Sequence, residues 1–229
     1  MIRKRGTTEL EKTLRGRPTG SPPEKAGALT WREKERIRTR RQIVSAARRV
    51  FANKGFHKSR LDDIARRAGL GKGTLYSYFS NKAALVTAVF EDTIDEQLRT
   101  VERAMEGKAG CRARIEAVAR EQLKHFARNR YLLRICSAER ALDSEQMKET
   151  LRPVLLQNYA KYTELLAHAF SLGMKRGELK RVAPLEMAHL FIAILHAVCW
   201  YWHMYGVTPA PEKEARMICG IIFDGLGKS

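Results

Sequence analysis

Between Gly69 and Lys82 the chain sets small, basic and hydroxyl-bearing residues at a spacing suited to gripping a polyanion. Gly71, Lys72, Gly73 and Thr74 open a short segment that continues through Leu75, Tyr76, Tyr78 and Phe79. Small or basic residues at such a start let a helix approach a groove closely with its amides toward phosphate, where bulk would hold the backbone away. Thr74 and Tyr76 add a methyl group and two hydroxyls to that segment. The competing role for Tyr76 and Tyr78 is to shield a small core, and Leu75 and Phe79 are core residues on either account. Catalytic and metal chemistry find little here. Cys111, Cys136, Cys199 and Cys219 stand far apart without CxxC or Cys/His spacing, which predicts reduced thiols in a cytoplasm and no metal site. No HExxH, GxSxG, phosphate-binding loop or paired carboxylates at catalytic spacing occur, so neither an enzyme nor a cofactor is expected.

Charge points to the same partner. The 229 residues carry a formal net charge of +18, which favours nucleic acid or an anionic surface. Residues 1–41 hold 13 Lys/Arg against 5 Asp/Glu and residues 42–82 hold 9 against 2, leaving a net +3 for residues 83–229. One end is built to meet phosphates and the other is nearly balanced. No apolar run follows Met1, and the longest apolar stretch, Leu190 to Tyr205, is interrupted by His196 and His203, so neither a signal peptide nor a membrane span is expected.

The elements that must position these residues read as all-α, about nine helices. Residues 1–30 mix Arg, Lys, Gly, Pro, Ser and Thr without periodicity and predict a flexible basic arm. Within it Arg15-Gly16-Arg17-Pro18 resembles the core of an AT-hook, in which Arg15 and Arg17 would lie in a narrow minor groove; the alternative is an arm adding only non-specific attraction. Ile43, Ala46, Ala47, Val50 and Phe51 place a first helix over Trp31–Asn53, closed by Lys54-Gly55. Ser59 is the expected N-cap of a second helix with Asp62 and Asp63 in its first turn, ending at Gly69. A third spans Lys72–Tyr78, and a fourth starts at Ser80-Asn81 and runs to about Met105. Two short helices about a glycine-containing turn make a helix-turn-helix. Five more follow at about 111–128, 130–140, 144–175, 184–204 and 212–226, with Pro153 kinking or dividing the long one and Pro184 in a first turn.

Residues 43–90 carry four linked elements in order: Phe51 ahead of Gly55-Phe56, then LDDIARRAGL, KGTLYSYF and NKAAL. This string resembles the DNA-binding domain of the TetR family of transcriptional regulators. Beyond the arm at 1–30, the resemblance implies a helix-turn-helix DNA-binding domain at 31–82 and a helical ligand-binding and dimerisation domain at 83–229. It implies Lys72, Gly73, Thr74 and Tyr76 in the major groove, with Tyr78, Lys82 and Ser59 at phosphates. Gly71 stands where many members have Ser or Thr, which removes one hydroxyl contact. It further implies a repressor released from a palindromic double-stranded DNA operator by a small molecule, and a homodimer through residues about 184–226.

Bulky groups at helical spacing fill the C-terminal half, and most belong to a core or an interface. Phe126, Tyr162, Phe170, His196, Trp200 and His203 are the candidates for lining a ligand cavity, with His125, His196 and His203 as polar anchors and a lipophilic or acyl-type ligand expected. The rival functions are an enzyme, for which turnover without DNA is the sign, and an architectural protein binding DNA without sequence choice, for which the basic arm is the support.

Overall fold

The computed structural model describes residues 29–107, 110–137 and 145–225. Among them are nine helices and no strand: α1 (Trp31–Lys58), α2 (Leu61–Arg67), α3 (Lys72–Tyr78), α4 (Lys82–Met105), α5 (Cys111–Arg128), α6 (Arg130–Ser137), α7 (Glu145–Lys175), α8 (Pro184–Tyr205) and α9 (Pro211–Asp224). The expected basic arm, with Arg15 and Arg17, lies almost wholly outside the described residues.

The chain divides into two compact units at Arg38 and Thr39. In the first, Thr30 and Glu33 form a capping box: the Thr30 amide and hydroxyl donate to the Glu33 carboxylate at 2.8 Å, and the Glu33 amide donates back to the Thr30 hydroxyl at 3.3 Å. These bonds favour the ionised form and hold the Glu33 carboxyl below its ordinary range.

The second unit, from Thr39 onward, has two apolar clusters. One gathers Ile43, Val50 and Phe51 of α1, Ile64 of α2, Leu75 of α3 and Phe79, with Leu85, Val86 and Val89 from the first half of α4. Tyr131 and Ile135 of α6 and Leu151 of α7 join it, so its core draws on residues well beyond the helix-turn-helix. The other gathers Val101 of α4, Ile115 and Leu123 of α5, Leu166 and Phe170 of α7, Phe191, Leu195 and Trp202 of α8, and Ile218 of α9. Close packing there depends on Gly173 of α7. A β-carbon at that position would sit 2.5 Å from the Cys111 sulfur, so only glycine lets the two helices approach.

Local chemistry explains most helix ends. The regular part of α1 stops at Gly55, whose φ of 73° interrupts the helix where Lys54-Gly55 was expected to close it. After α2, the Gly69 amide donates to the Arg66 carbonyl and the Leu70 amide to the Ala65 carbonyl, a Schellman ending with Gly69 at φ 67°. Asn81 caps α4 by accepting from the Ala84 amide at 2.8 Å. Pro184 opens α8 in its first turn, and Pro153 sits inside a helix that continues from Glu145 to Lys175 rather than dividing there. By length and composition α8 could cross a membrane. Its Phe191, Ile192, Leu195, Cys199 and Trp202 are nevertheless buried in the protein core.

Candidate nucleic-acid interface and inner cavity

Helix α3 has one anchored side and one free side. Leu75 is fully buried and Phe79 nearly so, while Lys72, Gly73 and Thr74 are exposed and Tyr76 is 43% exposed. That division follows from helical spacing: Leu75 faces α1 and α2, and the residues on either side of it are turned outward. The Lys72 ammonium pairs with Asp62 at 3.1 Å and lies 5.9 Å from the centre of the Tyr76 ring, so the outward face is held partly ordered. Tyr78 is half-buried and packs against the core cluster.

Two expected phosphate contacts find themselves in other company. Ser59 is 3% exposed, and its hydroxyl donates to the Gly55 carbonyl; the N-cap of α2 is Arg60, with no side-chain cap bond. The chain leaves the glycine break of α1 through a tight turn, and the serine closes that turn instead of the next helix. Lys82 lies 4.2 Å from the centre of the Phe56 ring and reaches the His57 carbonyl at 3.4 Å. Burial lowers its pKa, though the ammonium remains part of this surface.

Arg40 adds a cation beside the same helix, 5.4 Å from the Phe79 ring centre and paired with Glu91 at 3.5 Å. Further back on α1, Arg48 reaches three acceptors. It donates to Asp92 at 3.1 Å and Glu96 at 3.0 Å on α4, and to the Asn129 side-chain carbonyl at 3.1 Å.

Asn129 also lines a cavity of about 420 Å³ among α4, α5, α6, α7 and α8. Its walls are mostly apolar: Phe90, Ile94 and Leu98 of α4, Phe126 of α5, Leu132 of α6, Leu155 and Leu156 of α7, and Ile192 of α8. The polar members are Thr93, Gln97, His125, Asn129, Asn158, Tyr159, Tyr162 and His196. Burial drives the His125 pKa down to about 4 and lowers that of His196, so both rings are neutral at pH 7. Among the described lining residues no side chain carries a charge at that pH. The same desolvation pushes the thiols of Cys199 and Cys219 up to about 12, leaving them inert.

Of the residues expected from sequence to line a ligand site, Phe126, Tyr162 and His196 stand in the cavity wall. Phe170 is fully buried against Phe191, with ring centres 5.9 Å apart, and has no cavity surface. Trp200 is half exposed and borders a shallower recess with Phe126 and His196, while His203 packs beside Trp200 at 5.8 Å. These three lie on faces of α7 and α8 turned away from the cavity. The α4 wall and the two asparagines were not foreseen. Their signal was Phe90, Ile94 and Leu98 recurring at helical spacing, with Thr93 and Gln97 on the same stripe.

The comparisons with known proteins agree with this architecture. Residues 43–89 match the family described as bacterial regulatory proteins, tetR family. The HTH-type transcriptional regulator TtgR of Pseudomonas putida is 31% identical over 154 residues, which are 64% of this chain and 73% of that protein. The structure of the transcriptional regulator FadR from Bacillus subtilis in complex with stearoyl-CoA superposes with a TM-score of 0.67 at 20% identity, covering 82% of this chain and 99% of that one. AibR in complex with isovaleryl coenzyme A and operator DNA superposes at 0.59 with 21% identity, covering 81% and 98%. Both share the fold. On the matched helix-turn-helix and the extent of the likeness to TtgR, this chain belongs to the tetR family of bacterial regulatory proteins.

Proposed function

We propose that this protein is a sequence-specific DNA-binding repressor, released from its operator by an apolar effector that occupies the inner cavity. The observation that carries this reading is α3, anchored by Leu75 and presenting Lys72, Gly73, Thr74 and Tyr76 outward. These four are assigned to the major groove, with Thr74 and Tyr76 reading base edges, and Tyr78 and Lys82 to phosphate. Ser59 is assigned the turn that orients α2, its hydroxyl being taken by Gly55. Arg15 and Arg17 of the arm are assigned to the minor groove beside the operator.

Residues 31–82 are the DNA-binding part and 83–229 the sensing and pairing part. The cavity's volume lies within the range of small-molecule sites, and its lining suits a lipophilic ligand. Likeness in fold to FadR bound to stearoyl-CoA and to AibR bound to isovaleryl coenzyme A supports an acyl-bearing effector. Leu190, Trp200, Tyr201, Met204 and Tyr205 of α8 and Met217 of α9 form an exposed apolar face, which a twin chain covers in a homodimer through residues about 184–226. Twofold symmetry then requires a palindromic operator. Such a regulator works in the cytoplasm, where its DNA is.

The decisive experiment is protection of DNA from the protein's own upstream region, with excess non-specific competitor and at two salt concentrations. A palindrome protected against competitor supports the regulator. Binding that competitor abolishes would instead favour an architectural protein without sequence choice.

A further inference from the structure

The polar corner of the cavity, at the end of α5, is wired to α1. The Asn129 carboxamide is fully committed: its oxygen accepts from Arg48 at 3.1 Å, and its nitrogen donates to the His125 carbonyl at 3.0 Å and faces His125 Nε2 at 3.3 Å. A guanidinium only donates, so Arg48 fixes which end of the amide is oxygen. The ring nitrogen facing the amide is then the acceptor, and the imidazole proton sits on Nδ1, which is buried without a partner. Arg48 belongs to the helix against which α2 and α3 pack, and its remaining bonds go to Asp92 and Glu96 of α4. One arginine therefore joins the cavity wall, α4 and the core behind the recognition helix.

This arrangement selects a ligand chemistry. The corner offers N–H donors and, among the described lining residues, no cation to balance a buried carboxylate, whose desolvation is costly. A neutral acceptor, the carbonyl of an ester, thioester, amide or ketone, is the complementary group. To bond it, the Asn129 amide must turn from its present partners, and Arg48 then loses one of three acceptors.

We propose that the effector is an apolar molecule with an uncharged carbonyl-type acceptor that docks at the Asn129–His125 corner, and that Asn129 reports it to α1 by releasing Arg48. This rests on the effector reading above and adds to it the ligand's polar group and the residue through which it is sensed.

The test uses the full chain, DNA from its upstream region, and three probes: the neutral fluorophore N-phenyl-1-naphthylamine, methyl decanoate and decanoate, at pH 8. Methyl decanoate should displace the fluorophore at least about tenfold more tightly than decanoate and weaken DNA binding by about tenfold, within the usual span of coupling between sites. Arg48→Met should leave fluorophore binding near wild type, weaken ligand-free DNA binding about as much as the ester does in wild type, and leave the ester less than about twofold further effect. Arg48→Lys keeps a charge between Asp92 and Glu96 without the fork, and should show the same uncoupling if Met there unfolds the chain. Asn129→Ala should weaken the ester about tenfold. Equal displacement by decanoate, or release of DNA from the Arg48 variants as from wild type, overturns the inference and leaves the effector reading standing. A fluorophore that never binds, or an ester that binds without releasing DNA, overturns both.

Discussion

A single hydroxyl on α3 should have a distinct signature in binding. Thr74→Ala or Tyr76→Phe is expected to cost about 1–3 kcal/mol on the operator and to relax choice at one base position, seen when affinities for point-altered operators are compared. Lys82→Ala at the start of α4, by contrast, should weaken all sequences alike and lower the salt slope by about one, read from binding across a salt series. Should Tyr76→Phe change nothing on any operator, the tyrosine is there to shield the core, the other role its position in the sequence allows.

His125 gives a second residue-scale prediction. The unfolded imidazole takes its proton near pH 6.5, whereas the buried one does so only at about 4. Between those values the unfolded state binds more protons, so stability falls as pH falls through that window, by roughly 3 kcal/mol at most. Thermal melts from pH 7 to 4.5 should show a shallower acid loss in His125→Gln than in wild type. An identical slope would assign the acid sensitivity to groups other than His125.

At the scale of elements, α3 spans the residues its sequence predicts, Lys72–Tyr78, and α5 likewise spans Cys111–Arg128. Both are bounded by local chemistry: glycine before α3, glycine before α5, and apolar positions at regular helical spacing between. Ser59 escaped because an N-cap is recognised by residue type, whereas its real partner is a carbonyl exposed by the break at Gly55 four residues earlier. The cavity escaped in part for a different reason. Aromatic size marks burial but not whether a buried ring faces a void, and Phe170 and Phe126 look alike until α8 is laid over them. Glycine positions make the turn geometry testable. Gly69→Ala places a β-carbon at φ 67° and is expected to cost about 1–2 kcal/mol in denaturant unfolding. If that variant is as stable as wild type, the Schellman ending is not what holds α2 to α3.

Over the whole molecule, charge is concentrated in the first part of the sequence. Of the net +18, residues 1–82 supply +15. Such a distribution gives long-range attraction to DNA with little repulsion between two C-terminal halves. The exposed face of α8 carries Leu190 at 60% and Met204 at 58% exposure, large apolar groups of the kind expected where two copies meet. Leu190→Glu should therefore shift sedimentation from dimer toward monomer and weaken palindrome binding while half-site contacts persist. A variant that sediments as the wild type does would place the interface elsewhere.

The contact between Gly173 and Cys111 carries a consequence for how this protein can be watched. The thiol is nearly sealed at 2% exposure, burial raises its pKa to about 11, and a β-carbon added at Gly173 would overlap it. A maleimide cannot reach that sulfur while α5 and α7 stay in register, so alkylation there becomes a clock for their separation. Peptide masses after timed labelling should show Cys111 modified at the slow rate of helix opening, insensitive to reagent concentration once labelling outpaces closing. Labelling that scales with reagent at every dose would mean that the helices close again faster than the reagent reacts, so that the rate reports the fraction open and not the rate of opening.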